Sequence, residues 1–357
     1  MKNIRIQKIF ALFLIMILSG CINAKEHEGS ESTEKATSRK SLKANSGQPG
    51  NLSAESDTIV HTFPIGYMKA LDTVDASRIV KISSYKDVLD LYDQLNYTPE
   101  AWQAGIREIP RVYLTIIGPR WGSTTSKEIA VLYKKQLFFR GLGPLILRAN
   151  ELILKDRQKL EQIRSVFQQD GTVTKSDRNW IMKLAGLYKM DTGEGEVTGP
   201  MIQELWEKVD IVPPSLALAQ GAEESGWGTS RFAAEGNAIY GQWTWGKNAI
   251  VPENQRKELG NYGIAAFESL QESVCAYMLN LNTHRAYAGL RAKRAELRKN
   301  GEKITGDVLA EQLTSYSERG EEYVKTLKVM MEYNILKPTD DAFLIADPPI
   351  YLIPVAE

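Results

Sequence analysis

Cysteine and histidine are scarce in this chain. Among 357 residues there are two cysteines, Cys21 and Cys275, and three histidines. Two thiols so far apart exclude a disulfide framework. There is no His-Glu-x-x-His, no cysteine cluster and no zinc-ligand spacing, which removes the sequence grounds for a metal hydrolase. An excess of either charge is also missing, since 44 basic residues balance 44 acidic ones. Without a clustered basic face the chain lacks the electrostatic footprint of a nucleic-acid binder. The glycine-rich stretch Met190–Gly199 lacks the Gly-Lys-Ser/Thr ending of a phosphate loop. No internal repeat is visible, so the length reads as one or two ordinary globular domains plus appendages.

What is present begins with a leader. Lys2, Arg5 and Lys8 precede the apolar run Ile9–Leu18, which is too short to span a bilayer and has the length of a signal-peptide core. Leu18-Ser19-Gly20-Cys21 resembles a bacterial lipobox, with small residues at the cut and a thiol just after it. Residues 1–20 are therefore expected to be a lipoprotein signal peptide and Cys21 the lipidation site. Each buried CH₂ of an acyl chain adds about 0.8 kcal/mol of anchoring. Ile22, in place of aspartate, resembles Gram-negative lipoproteins of the outer membrane and implies a domain facing the periplasm. Residues 21–58 hold hardly a large apolar side chain, so burial cannot offset chain entropy and a disordered tether is expected.

Order is expected from residue 59. Residues 59–190 read as an N-terminal helical region, 191–335 as the domain that carries the chemistry, and 336–357 as a proline-rich tail able to strap across the surface. Ile59–Lys69 and Ala76–Ile82 read as extended, Lys86–Gln94 as a helix, and Thr98-Pro99-Glu100 as a helix start. Arg111–Ile117 reads as a strand or a buried helix end. Thr125-Ser126-Lys127-Glu128 has the form of a capping box opening a long helix through Phe138 and Phe139. Gly141-Leu142-Gly143-Pro144 predicts a break or kink in it, because Pro144 has no amide to donate. Helix resumes over Ile146–Phe167, and Ser176-Asp177 is the expected cap of a helix to Lys189. Pro200–Val209 is helical, and another helix starts at Val212-Pro213-Pro214-Ser215, proline being tolerated in a first turn. Ser269-Leu270-Gln271-Glu272 is a second capping box before the stripe Val274, Tyr277, Met278, Leu281. Asp307 is the expected cap for Val308, Leu309 and Leu313, and Tyr323–Tyr333 carries the last helix. Cys275 reads as a buried thiol and His284 as a helix-end cap.

The chemistry concentrates between Val212 and Trp245. Glu223 and Glu224 stand side by side at the end of an apolar helix. Partial burial raises the pKa of a carboxyl and suits it to proton donation near neutral pH. A helix C-terminus is otherwise a poor place for negative charge. The Glu224 row of the helix, with Ala217 and Gln220 or Gly221, is small-sided, as at the edge of a cleft. Glu223 lines up with Leu216, Ala219 and Gln220, and spacing alone does not choose between the two acids. Trp227, Tyr240, Trp243 and Trp245 follow. Aromatic faces stack on the C–H surfaces of sugars, and Gln242 and Asn237 can hydrogen-bond hydroxyl or acetamido groups. Trp227, between Gly226 and Gly228, reads as core, while Tyr240 and Trp243 stay open between core and cleft.

Several blocks now combine. They are Ala219-Gln220-Gly221-Ala222-Glu223-Glu224-Ser225-Gly226-Trp227-Gly228-Thr229-Ser230, Glu235-Gly236-Asn237, Tyr240-Gly241-Gln242-Trp243, the Ala276–His284 run and Tyr316-Ser317-Glu318-Arg319-Gly320. With Phe138-Phe139-Arg140, Leu145 and Arg148-Ala149-Asn150-Glu151 upstream, they resemble the Bax-type branch of bacterial β-N-acetylglucosaminidases, relatives of the flagellar rod-associated peptidoglycan hydrolase. The resemblance runs from Ser83 to Asn334. It implies an α+β, mostly α-helical fold: a lysozyme-like glucosaminidase domain with a small β-hairpin lobe, preceded by a helical region. It implies a glycoside hydrolase that cleaves the β-1,4 bond between N-acetylglucosamine and N-acetylmuramic acid of peptidoglycan. The glutamate directly before Ser-Gly-Trp-Gly, here Glu224, would be the general acid. The developing oxocarbenium ion needs a counter-charge or nucleophile. Relatives place a second carboxylate in the hairpin, where Glu253 and Glu258 are the acidic residues of Gly246–Gly263; the substrate's own 2-acetamido group is the other source. Tyr316 matches an aromatic position near the cleft, and Tyr240, Gln242 and Trp243 complete the expected substrate contacts. The partners implied are glycan strands and, through the anchor, a membrane. No cofactor, metal or nucleic acid is called for, and no oligomeric state is marked. A muramidase or lytic transglycosylase, and a non-catalytic peptidoglycan-binding lipoprotein, remain the alternatives.

Overall fold

The computed structural model of the chain describes residues 78–355 apart from 194, 248, 254 and 256–261. The leader, Cys21, the tether, the segment Ile59–Lys69 and Glu258 lie outside the described residues. β1 (Arg78–Ile82) leads into α1 (Tyr85–Gln94), which starts on a true capping box: Ser84 Oγ accepts from Asp87 N at 3.3 Å, and Asp87 Oδ2 accepts from Ser84 N at 2.9 Å. α2 (Pro99–Gln103) is capped by Thr98, and β2 (Glu108–Ile109) and β3 (Val112–Leu114) follow. β1 and β3 flank the C-terminal strand β8 (Ile350–Pro354), parallel to both, with Ile350 opposite Arg78 and Val112. β7 (Phe343–Leu344) pairs in parallel with β2. The proline-rich tail, whose place the sequence leaves open, thus supplies the centre of a sheet, with Leu352 fully buried.

α3 (Val131–Asp170) runs through Pro144 without interruption. Of the break or kink expected there, the break does not occur, because nearly every residue from Leu142 to Asn150 is buried. Packing on all sides holds the backbone helical against local propensity. The expected capping box at Thr125 is also absent. Thr125 ends a π-helical turn (Trp121–Thr125) in right-handed helical conformation, φ −52° and ψ −48°, and makes no capping bond. An N-cap must be extended to present its side chain to the next turn.

α4 (Lys175–Leu187) is capped by Thr174, not by Ser176 or Asp177, and α5 (Gly199–Lys208) by Thr198. α6 (Pro214–Ser225) and α7 (Arg231–Gly236) come next. The small lobe is an antiparallel sheet of β4 (Trp243–Thr244), β5 (Ala249–Ile250) and β6 (Gly263–Ala265), with β6 in the centre. Gly263 is needed there, since a Cβ would fall 2.6 Å from that of Ala249. α8 (Leu270–Thr283) starts with Ser269 accepting from Glu272 N, but the Glu272 carboxylate reaches one residue beyond the box, to Glu268 N. α9 (Ala288–Asn300) has no counterpart in the sequence reading. Its buried face is Leu290, Arg294 and Leu297, and an arginine in mid-stripe hides the apolar period. α10 (Gly306–Ala310) is capped by Thr305 instead of Asp307, and α11 (Glu321–Tyr333) closes the helical body.

The main core unites α3, α6, α8, α10 and α11 through Leu145, Ile146, Leu216, Leu218, Val274, Leu281, Leu309 and Leu327. A second cluster packs α4 and α5 on the far half of α3, through Leu160, Ile163, Ile181 and Leu205. The architecture is a helical body with a small antiparallel lobe, in agreement with the α+β fold that the resemblance implies. No described helix is long and apolar enough to cross a membrane.

Candidate active site

α6 is the enclosed axis of the body. Every residue from Pro214 to Ala222 is buried, and exposure to solvent returns only at Glu223 and Glu224, both half-buried. A helix without a solvent face belongs to a core, so its last turn is where it can meet a substrate. Gly221 permits close packing: a Cβ there would lie 2.9 Å from Leu142 Cδ2 and 3.1 Å from Ile239 Cγ2. Beyond Ser225, three successive residues are left-handed, Gly226, Trp227 and Gly228, with φ of 56°, 64° and 74°. Glycine adopts this region freely, whereas a tryptophan pays about 1 kcal/mol or more. Packing holds Trp227 there, its ring meeting Phe138 and Phe139 edge-on at 5.9 and 5.2 Å. Ser225 Oγ donates to Gly221 O at 2.6 Å and accepts from Gly228 N at 2.8 Å. The Glu-Ser-Gly-Trp-Gly block is therefore a locked helix stop that fixes where Glu224 stands.

The two acids differ in surroundings. Arg319 Nη2 lies 2.6 Å from Glu223 Oε1 and pairs with it. Among the described residues no cation contacts Glu224; instead Tyr323 donates its hydroxyl to Glu224 Oε1 at 2.7 Å. Aromatic rings complete the enclosure. Tyr316 stacks on Tyr323 with centroids 5.5 Å apart, and Tyr287 lies 5.8 Å from Tyr316. Burial pushes the Glu224 carboxyl above the usual carboxylate range, the Tyr323 hydrogen bond works against this, and the Glu223 charge adds to the rise. The acid that resemblance singles out is thus the one whose environment favours the protonated form.

The other expected residues are placed unevenly. Tyr240 belongs to the core: it is 2% exposed and stacks on Tyr277 at 3.8 Å, so its ring is already covered by protein, and its buried hydroxyl has no hydrogen-bond partner. Trp243, 47% exposed, stacks one face on Tyr262 at 4.6 Å, and Trp245 is 66% exposed. Gln242 is half-buried; its Nε2 donates to Ala276 O at 3.1 Å, and its Oε1 lacks a partner. Half-buried Tyr316 donates to Tyr240 O at 3.2 Å. Asn237 is structural, its Oδ1 accepting from Ile117 N and its Nδ2 donating to Phe267 O. Glu253 has a largely exposed side chain, 3.9 Å from Arg231 Nε. His284 Nδ1 accepts from Ala286 N, the capping role expected of it, and Cys275 is a buried thiol that accepts from Gln271 Nε2 and is pushed up to about 11 by burial. Tyr323 and Arg319 escaped the sequence reading as site residues. Arg319 lies inside a quoted block, but Tyr323 looks in sequence like any aromatic on a helix stripe.

A partly desolvated carboxyl ends the enclosed helix, next to a small sheet lobe that exposes tryptophan faces. With the fold around it, this defines an α+β, lysozyme-like domain of the glucosaminidase class. Residues 199–336 match the Glucosaminidase family, described as mannosyl-glycoprotein endo-beta-N-acetylglucosaminidase. The chain is 33% identical over 202 residues to Protein bax of Escherichia coli (strain K12), a match covering 56% of this chain and 70% of that protein. No solved structure matches it. The chain belongs to the Bax-type branch of the glucosaminidase family, a family of glycosidase-type enzymes.

Proposed function

We propose that the protein hydrolyses the β-1,4 bond between N-acetylglucosamine and N-acetylmuramic acid in peptidoglycan, with Glu224 as general acid. One observation carries this reading: of two adjacent glutamates, one is paired to arginine and the other is enclosed by phenol rings with its pKa raised. A carboxyl whose surroundings raise its pKa suits the work of a general acid. The Glu224 proton passes to the glycosidic oxygen as the C1–O bond breaks, and the leaving sugar departs as an alcohol. Positive charge then develops across C1 and the ring oxygen. Glu253 or Glu258 supplies a counter-charge, or the 2-acetamido oxygen attacks C1 and water later opens the ring so formed. Trp243 offers an exposed face for sugar stacking, and Tyr316 lies beside the acid to orient the acetamido group. Acylation of Cys21 would hold the domain at the outer membrane, facing the wall; labelled fatty acid should then enter the native chain and not Cys21→Ser.

Glu224→Gln keeps the shape and removes the proton. It should abolish clearing of purified sacculi while the melting transition is kept; retained clearing refutes the assignment. Native protein that binds sacculi and releases no fragment would instead favour a non-catalytic binding lipoprotein.

A further inference from the structure

Behind Glu224 runs a line of buried polar groups. Gln220, one turn earlier on α6, is fully buried, as are Tyr277 on α8 and, at 1% exposure, Tyr323 on α11. Tyr277 donates its hydroxyl to Gln220 Oε1 at 2.6 Å. Gln220 Nε2 donates to the Tyr323 oxygen at 2.9 Å, and Tyr323 donates to Glu224 Oε1 at 2.7 Å. A hydroxyl has one proton to give. That of Tyr323 goes to Glu224, so its oxygen is free to accept from the amide, and the amide oxygen is free to accept from Tyr277. Every donor in the line points towards Glu224. Reversing it would require turning an amide within closed packing and would strand the Tyr277 hydroxyl proton, and buried unpaired donors are expensive.

We infer that Tyr277, Gln220 and Tyr323 form a directional hydrogen-bond chain that keeps Glu224 Oε1 an acceptor and so places the transferable proton on Oε2. Oε2 is the oxygen on the Gly241 side: the position a Cβ would take at Gly241 lies 3.9 Å from it. Gly241 leads directly into β4, so the glycosidic oxygen has to approach from the side of the small lobe. The inference rests on Glu224 being the acid and adds which of its two oxygens delivers the proton. Tyr323, Gln220 and Tyr277 are positioning residues that act through Glu224. The other groups facing the carboxyl are Glu223 on its own helix, Arg319 just before α11, and the phenols of Tyr287 and Tyr316.

The test is the pH profile of muropeptide release from purified sacculi by the full chain and by Tyr323→Phe, Tyr277→Phe and Glu224→Gln. Tyr323→Phe should lower kcat about tenfold with apparent KM unchanged, the effect of losing one hydrogen bond to a charged group. It should also move the basic limb of the profile to higher pH, because the carboxylate loses its donor. Tyr277→Phe does not touch Glu224 and should give a smaller shift in the same direction, with a loss of about threefold. A purely structural role would reduce the amount of active protein without moving the limb. Native kcat and an unmoved limb in Tyr323→Phe overturn the chain, even if Glu224→Gln is inactive; an active Glu224→Gln overturns the reading of the acid instead. Should Tyr323→Phe fail to fold, Tyr277→Phe decides: a displaced limb supports the chain and an unmoved one overturns it.

Discussion

The two ends of α6 hold buried carboxyl groups with opposite fates. Asp210, just ahead of the helix, is 2% exposed and surrounded by guanidinium groups. Arg298 Nη2 lies 2.7 Å from its Oδ1, and Arg157 Nη1 and Arg294 Nε lie 3.5 and 3.8 Å from its Oδ2. Burial pushes the Asp210 carboxyl up, but Arg294, Arg298 and Arg157 together hold it below the usual range. Arg294, itself brought down to about 10 by burial, also donates to the Asp210 and Ile211 carbonyls and to Asn282 Oδ1. At the other end Glu224 meets the same desolvation with a phenol as its contact, and burial prevails. One end of the helix is a charged clamp that fixes its start; at the other, burial raises the pKa of a carboxyl contacted by a phenol. What separates the two acids, among the described residues, is the supply of cations within contact distance.

The largest expected effect that sharpens this contrast is on stability. Asp210→Ala strands the guanidinium groups of Arg157 and Arg294 in the core and releases the exposed Arg298; it should cost about 3–5 kcal/mol, read by urea unfolding, and a loss under about 1 kcal/mol would mean the clamp is dispensable. The pH dependence should run in opposite directions at the two sites. The native pKa of Asp210 is depressed, so its stabilisation is present above the unfolded value of about 3.9 and is lost as pH falls through the native value. The native pKa of Glu224 is raised, so its protonated form stabilises most below the unfolded value of about 4.3, and that contribution is lost as pH rises through the native value. Glu224→Gln should therefore melt above the native chain at neutral and alkaline pH, with the gap closing in acid; a gap that opens in acid would contradict the sign. The smallest effect is expected for Glu223→Gln. It removes the charge that helps raise the Glu224 pKa and releases Arg319, so the basic limb of the activity profile should move to lower pH. Turnover should stay within about fivefold, since partly exposed pairs are worth little.

Much of this contrast was legible in the sequence at the Glu224 end and little of it at the Asp210 end. The Glu-Ser-Gly-Trp-Gly block is local: its glycines mark the left-handed turn, and the apolar run before it marks an enclosed helix. The clamp draws on residues 53 to 88 positions apart, and α9, which supplies two of its arginines, carries no clear apolar period. The same limit hid the Tyr277–Gln220–Tyr323 line, whose members lie 57 and 103 positions apart. Pro144 misled because propensity reports the isolated helix, whereas Leu142–Asn150 is held by packing on every side. The tail's place stayed open in the sequence because β7 and β8 are short and find their partners at the opposite end of the described chain. Tyr240 remained open because an aromatic next to a glycine turn fits core and cleft alike; only the ring of Tyr277 across its face decides it.

The most direct measurement is the identity of the new reducing ends released from purified peptidoglycan, determined by mass spectrometry for the native chain and for Glu224→Gln side by side. The expected result is N-acetylglucosamine at the reducing ends made by the native chain and no new ends from the variant. N-acetylmuramic acid or its anhydro form at those ends, or an equal yield from Glu224→Gln, would contradict Glu224 as the acid of a glucosaminidase.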